Sequence, residues 1–281
     1  MAFKIPVVDR ASTYPGRVTL TPVDGAENTF VMARADQPLV DGTPINKALL
    51  DNKAYTITED VTVYVSKNGS TGGDGSKSYP FLTIQAALDA LPKNLAGFTA
   101  TIDIGAGTYE ELVVCRGFLG GKLVIGTAGT AVVMRGLEID ACTYVEVNVP
   151  TFTAASKYGN ALIDVKNGST VFIPGNALLD GKTYNVAGII ANMGSVIYAA
   201  KYFTVTVNNT NSAAISASAG SKVALGIVAG TNNFLGLIAT MGGTVTYETS
   251  TMDSLLGDNA QTGGSILTGG GIFNLAKASI E

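Results

Sequence analysis

The sequence predicts an all-β chain, built as a parallel β-helix (solenoid) behind a small irregular segment. Three observations carry this. A glycine-centred motif recurs through the second half, apolar residues reach 46% with only 14% charged, and helical periodicity is missing beyond residue 92. A chain of 281 residues strains a single ordinary core, whereas a repeat fold grows by stacking.

The motif is an apolar run, a small residue or Asn, a Gly, and a second β-branched run. It recurs at Ile163–Ile173, Ile189–Tyr198, Ile215–Leu225, Leu237–Tyr247 and Ser265–Phe273. The glycines Gly168, Gly194, Gly220, Gly242 and Gly269 are spaced by 26, 26, 22 and 27 residues. Each copy is too short to bury its own apolar face, so stacked copies give parallel strands around one continuous core. The glycine is expected at a tight corner that needs positive φ or close stacking. A β-sandwich competes with this reading, but sandwiches rarely repeat one corner at a near-constant period.

Ahead of the repeat, residues 1–42 carry turn signals at Tyr14-Pro15-Gly16, Pro22-Val23-Asp24-Gly25 and Asp41-Gly42, and read as irregular or short-stranded. Thr43–Leu50 starts like a helix, with Thr43 as cap and Pro44 in the first position. Val61–Val65 is strand-like and Lys67–Ser76 reads as a loop. Thr83–Leu91 is a helix whose Ile84, Ala87, Leu88 and Leu91 share one face, stopped by Pro92. The chain thus divides into residues 1–60 and residues 61–281.

Composition narrows the function. The net charge is −4 and no basic run occurs, which argues against nucleic acid and against an anionic membrane surface. No apolar run approaches the roughly 18 residues of a membrane span. The opening Met1–Arg10 lacks the apolar core of a secretory signal, which fits assembly in a cytoplasm and release by lysis. The chain has no histidine, which removes imidazole bases, Ser-His triads and most transition-metal sites; no cofactor is expected. The two cysteines, Cys115 and Cys142, make neither a disulfide framework nor a zinc site. Their separation of 27 matches the repeat, so they are expected reduced, buried and adjacent on neighbouring rungs.

Glycan hydrolysis needs two carboxylates across a groove. Asp140 and Asp164 sit in similar strings about one repeat apart, so they are the catalytic candidates, stacked on adjacent rungs. Solvent-facing or turn-binding acids are the plainer reading of both, and no catalytic residue is expected. Asp74, in a Gly-Gly-Asp-Gly loop, supplies one acid where calcium needs several oxygens. Aromatics gather at Tyr144, Phe152, Tyr158, Phe172, Tyr184, Tyr198, Tyr202 and Phe203. They read first as ladder residues or contacts between copies; Tyr184, Tyr198 and Tyr202 are the candidates for stacking on sugar rings. Asn68, Asn167 and Asn208 open Asn-x-Ser/Thr triplets and read as turn residues, and Lys166 and Lys222 as solvated corners in equivalent places.

Two segments carry resemblances. Val63–Gly69, Gly73-Asp74-Gly75, Tyr79–Pro92 and Ala100–Glu111 together resemble the opening of pectin-lyase-like β-helices, among them pectin methylesterases and phage tailspikes. The resemblance implies a right-handed solenoid whose N-terminal end is capped by the Thr83–Leu91 helix. It says little of function, since the histidine and the downstream aspartate motifs of the carbohydrate enzymes are missing. Pro6–Arg10, Tyr14–Val23, Arg34–Pro38 and Gly42–Leu50 look like the leader of tail-fibre proteins in phages and prophages of Gram-positive gut bacteria. That resemblance implies a structural virion protein that docks to tail or baseplate proteins through residues 1–60 and meets a bacterial surface glycan. A tailspike depolymerase and a head fibre or decoration protein are the alternatives. A homotrimer is expected: the apolar content exceeds what one narrow solenoid hides, its open ends need partners, and threefold symmetry follows from the fibre resemblance.

Overall fold

A computed structural model describes residues 11–12, 18–22, 24, 30–34, 38–40, 56–154, 160–182 and 184–268. The expected helix at Thr43–Leu50, the aromatic Tyr158 and the motif glycine Gly269 lie outside the described residues. The chain divides into two compact units, Lys4–Ala54 and the residues from Tyr55 onward. In the first, β1 (Ala11–Ser12) pairs antiparallel with β4 (Pro38–Val40), and β2 (Val18–Pro22) with β3 (Phe30–Arg34).

The second unit is a parallel β-solenoid of about seven turns, compatible with the pectin-lyase-like resemblance. It opens with β5 (Val61–Ser70), the helix α1 (Ile84–Ala90), β6 (Thr99–Ile104) and β7 (Gly107–Arg116). Next come β8 (Lys122–Ile125) and β9 (Val132–Asp140), then β10 (Val145–Val147), β11 (Thr151–Thr153) and β12 (Ala161–Lys166). Two regular turns follow: β13 (Thr170–Ile173), β14 (Ala177–Asp180) and β15 (Ala187–Ala191), then β16 (Val196–Ala199), β17 (Thr204–Asn208) and β18 (Ala213–Ala217). The last described strands are β19 (Lys222–Asn233), β20 (Leu235–Ala239), β21 (Thr244–Ser254), β22 (Asn259–Ala260) and β23 (Ser265–Thr268).

Each turn lays strand on strand in three faces. The first face stacks Leu123, Val145, Val171, Ile197, Val223, Val245 and Ile266 in register. The second stacks Tyr109, Met134, Phe152, Leu179 and Val207, and the third stacks Val113, Leu137, Ile163, Ile189, Ile215 and Leu237. Except for Ile266, these side chains are all but inaccessible and fill one continuous core. The cause is the period-two alternation of a strand: in β6, Ala100, Ile102 and Ile104 point inward while Thr99, Thr101 and Asp103 point out.

The single helix among the described residues, α1, is capped by the Thr83 hydroxyl, which accepts from Ala86 N at 3.2 Å. The Glu111 carboxylate accepts the next amides, Ile84 N at 2.8 Å and Gln85 N at 3.1 Å, so the first turn has partners for the donors that a helix leaves open. Ile84, Ala87 and Leu88 are buried, and the chain turns extended at Leu91 because Pro92 follows. Strand β5 runs on through the first four residues of the expected loop Lys67–Ser76, to Ser70. There Ser70 N donates to Pro80 O, and both Val65 and Ser70 bridge to Phe81.

The motif glycines sit at the corner between the third face and the first. Asn167-Gly168, Met193-Gly194, Ala219-Gly220 and Met241-Gly242 each hold two successive residues at positive φ, near 50° and then near 73°. Each of these glycine amides donates to a carbonyl one turn further on: Met193, Ala219, Met241 and Thr262. The next described corner is Thr262-Gly263, six residues before the expected Gly269, which lies outside the described residues. Ser265–Thr268 is therefore the strand after the corner, paired with Thr244–Tyr247. The turn has shortened to 21 residues, and its Gly263-Gly264 matches Gly242-Gly243.

Behind the first three of these glycines, Ser169, Ser195 and Ser221 are fully buried. The Ser169 and Ser195 hydroxyls donate at 2.7 Å to the carbonyls of Lys166 and Asn192. The Ser169 and Ser221 hydroxyls also accept Cys142 N and Ser195 N from the preceding turn. At Gly243 and Gly264 the backbone comes closer still. A Cβ on Gly243 would lie 2.2 Å from Ala217 O, whereas one on Gly194 meets nothing within 4 Å.

Two substitutions separate these requirements. Gly194→Ala costs only its left-handed backbone, about 1–2 kcal/mol. Gly243→Ala forces backbone apart and costs roughly 3 kcal/mol. Urea unfolding of the two variants beside the parent is expected to rank them in that order.

Candidate functional site

The carboxylate candidates lie on the outer side of the third face, where alternate residues of β7, β9 and β12 project outward. The register sets Arg116 beside Asp140 and Asp140 beside Lys166, and it sets Glu138 beside Asp164. Asp140 and Asp164 therefore do not stack as their sequence strings suggest. The turn between them is 26 residues long while the acids are 24 apart, so Asp164 neighbours Glu138 and Asp140 lies one strand over and two residues along.

Asp140 is 8% exposed and fully engaged. Asn167 Nδ2 donates to its Oδ1 at 2.6 Å, and Arg116 Nε donates to its Oδ2 at 2.8 Å. The Asn167 bond first, and Arg116 after it, hold this carboxyl below its ordinary range against the effect of burial. Glu138 bridges Arg116 at 3.2 Å and Lys166 at 2.9 Å. Asp164 has the opposite environment: burial pushes its pKa up and the Glu138 charge adds to that, with Lys166 opposing. Two acids are thus driven apart in pKa, as an acid–base pair requires. Yet both bonded oxygens of Asp140 are occupied, and Arg116, Glu138 and Lys166 link the neighbouring strands into one ion-pair network. Among the described residues, no group of three or more Cys, Asp or Glu side chains is placed to hold a metal. No helix among them is long and apolar enough to cross a membrane.

The three tyrosine candidates do not converge. Tyr198 lies on the outside of the first face, stacked on Phe172 with ring centroids 4.8 Å apart and planes at 26°, its hydroxyl donating to Tyr144 Oη at 3.1 Å. Burial, with the Tyr198 bond behind it, raises the pKa of Tyr144. Tyr202 is 81% exposed at the corner between the first and second faces, with the Lys201 ammonium 5.7 Å from its ring centre. Tyr184, 40% exposed, lies at the corner between the second and third faces. Within the aromatic group singled out from the sequence, Phe152 alone of the described members is fully buried in the core.

The smaller expectations divide as well. Asp74 closes a local turn by accepting Ser76 N at 2.8 Å. Asn167 is in a turn, but Asn68 and Asn208 lie within β5 and β17. Lys166 and Lys222 are not equivalent, because one precedes the glycine corner on the third face and the other follows such a corner on the first.

Two clefts lie at corners instead. One, of about 290 Å³, is walled by Val147, Val149, Pro150, Ile173, Pro174 and Phe203. The other, of about 240 Å³, is lined by Asn209, Asn211, Asn232, Asn233, Phe234 and Leu255. The glycine rule does not point to the second corner. Its available signal is the repeated pair Asn208-Asn209 and Asn232-Asn233.

Cys115 and Cys142 are buried, free thiols with Sγ atoms 3.7 Å apart. The contact with Cys142, then burial, pushes the Cys115 thiol well up. Cys142 occupies the corner position that Ser169 fills one turn later, and Ser169 Oγ accepts its amide.

No protein-family model, curated protein or solved structure matches this chain. Its class is therefore defined by its own geometry: a parallel solenoid with paired outer charges and corner clefts.

Two expectations follow. The folded pKa of Asp140 lies below its unfolded value, so its contribution is present above the ordinary carboxylate range and lost as pH falls through the folded value. The folded pKa of Asp164 lies above its unfolded value, so its contribution is full at low pH and lost as pH rises through the folded value. Asp140→Ala is expected to cost about 2 kcal/mol at neutral pH and progressively less in acid. Asp164→Asn is expected to raise Tm at neutral pH and leave it unchanged near pH 3, as thermal melts across that range check. Separately, both thiols are expected to resist Ellman's reagent in the native protein and to react in urea; fast native labelling would contradict their burial.

Proposed function

We propose that this chain is a non-catalytic structural component of a phage-type virion, a tail fibre or spike. In this reading the solenoid is right-handed, α1 covers its N-terminal end, and three copies associate to present a surface to a bacterial polysaccharide. Residues 1–60 serve as the attachment segment. The observation that carries the non-catalytic part is the engagement of Asp140 by Arg116 and Asn167, which leaves Asp164 without a free carboxylate partner of the Asp140 type. The fibre assignment is supported by the resemblance of the first fifty residues to tail-fibre leaders. A stiff solenoid with aromatic and amide side chains at its corners suits a part that displays a surface rather than one that encloses a reaction.

The depolymerase is the competing reading, and the raised pKa of Asp164 beside Glu138 is what favours it. One set of measurements on the full-length protein separates the two. Light scattering is expected to return three times the 28.8 kDa chain mass. Incubation with surface polysaccharides of Gram-positive gut bacteria is expected to release no reducing ends. A stable monomer would remove the trimer, a dimer its symmetry, and reducing ends abolished by Asp164→Asn would establish the enzyme. Antibody labelling of virions distinguishes a tail from a head position.

A further inference from the structure

We infer that the asparagine-lined cleft at the corner between the second and third faces binds an uncharged oligosaccharide, laid along the solenoid axis across successive turns. This rests on the reading of the protein as a polysaccharide-recognising surface, and it gives that surface a location and a ligand class.

The corner is built from three consecutive turns. Tyr184 belongs to the turn between β14 and β15, Asn209-Thr210-Asn211 to that between β17 and β18, and Asn232-Asn233-Phe234 to the end of β19 and the link to β20. The backbone ties them in order. Asn211 N donates to Tyr184 O at 3.4 Å, Phe234 N to Thr210 O at 2.9 Å, and Leu256 N to Phe234 O at 3.0 Å. Successive turns are spaced by about 4.8 Å, so Tyr184 and Phe234, two turns apart, are separated by roughly 10 Å along the axis. Each is 40% exposed. The corner therefore offers two apolar ring surfaces in a row, with polar groups between them.

The polar groups are fixed in orientation. Asn209 Nδ2 donates to Asp180 Oδ1 at 2.9 Å, and Asn232 Nδ2 donates to Asn209 Oδ1 at 2.9 Å. This chain of amides leaves the Asn232 carbonyl oxygen as its outer end, with no donor among the described residues. Beneath it Asn233 is 3% exposed: its Oδ1 accepts from Thr210 N and Oγ1, and its Nδ2 donates to Val207 O at 2.8 Å. The Asn211 side chain is exposed and makes no hydrogen bond among the described residues. Asn211 can thus both donate and accept, and Asn232 accepts, on a base that does not have to rearrange; such preorganisation lowers the ordering cost of binding.

The charge pattern selects the ligand. None of the cleft-lining residues ionises. At the rim Asp180 and Lys182 are paired at 2.7 Å, and the exposed Asp253 and Asp258, on either side of Leu255, add negative charge. A phosphate or carboxylate ligand would find no cation to offset its desolvation. Pyranose rings have the matching chemistry: an apolar face for Phe234, Leu255 or Tyr184, and hydroxyls that both donate and accept for the amides. A volume of about 240 Å³ accommodates a short segment of such a chain rather than an enclosed small molecule.

The test uses the full-length protein on an array of neutral and anionic bacterial polysaccharides, followed by titration calorimetry with the strongest binder. The parent is expected to bind a neutral polysaccharide. Phe234→Ala and Asn211→Ala are each expected to weaken that binding by about tenfold while leaving the unfolding midpoint unchanged. Tyr202→Ala, on another corner, is expected to bind like the parent. Unaltered binding in both cleft variants overturns the site but leaves the polysaccharide reading standing. Binding confined to anionic polymers overturns the ligand class. No binding to any polymer overturns the reading and the site together.

Discussion

Everything in the solenoid depends on backbone hydrogen bonding between one turn and the next. A strand here has no partner within its own turn; its amides and carbonyls are satisfied only by the strands before and after it along the axis. This fixes register, and register makes like fall on like. Ile163, Ile189 and Ile215 align inward because the turns between them are equal, and Glu138, Asp164, Asp140 and Lys166 meet outward for the same reason. The core, the ion-pair network and the corner amides are three results of one alignment.

The corners decide how long each turn is. The glycine corner itself keeps its length: the steps from Ala191 to Val196, from Ala217 to Lys222 and from Ala239 to Thr244 are the same, whether a Ser or a second Gly follows the left-handed residue. The turns shorten from 26 to 22 and then 21 residues at the other two corners: Tyr198 and Thr204 are six residues apart but their partners Ala224 and Ile227 only three, and the rest is lost between the second and third faces. The inward column Ile139, Val165, Ala191, Ala217 and Ala239 steps down in volume along the axis.

The parts of this architecture that are legible in sequence are those where a residue type has no alternative. Gly168, Gly194, Gly220 and Gly242 mark corners because two successive left-handed residues favour glycine, and those corners fix the period. Ile84, Ala87 and Leu88 mark the helix for a similar reason. What stays hidden is what depends on counting residues between corners. A difference of two residues moves Asp164 from Asp140 to Glu138, and local similarity of strings cannot reveal it. The asparagine corner is hidden for another reason: its positive-φ positions Asn209 and Asn232 are tolerated by Asn, so no glycine announces them. The tyrosines, judged as one group, lie on three separate surfaces, because exposure is decided by face and corner rather than by proximity in the chain.

The stacked turns also set how the molecule yields to force. Each turn is held to its neighbours alone, so tension applied at the chain ends loads the outermost turn first and peels it before the next one feels the strain. A turn of 26 residues, once freed, extends by about 90 Å. A pull therefore meets a series of separate yielding events, each lengthening the tether while the remaining turns keep their shape.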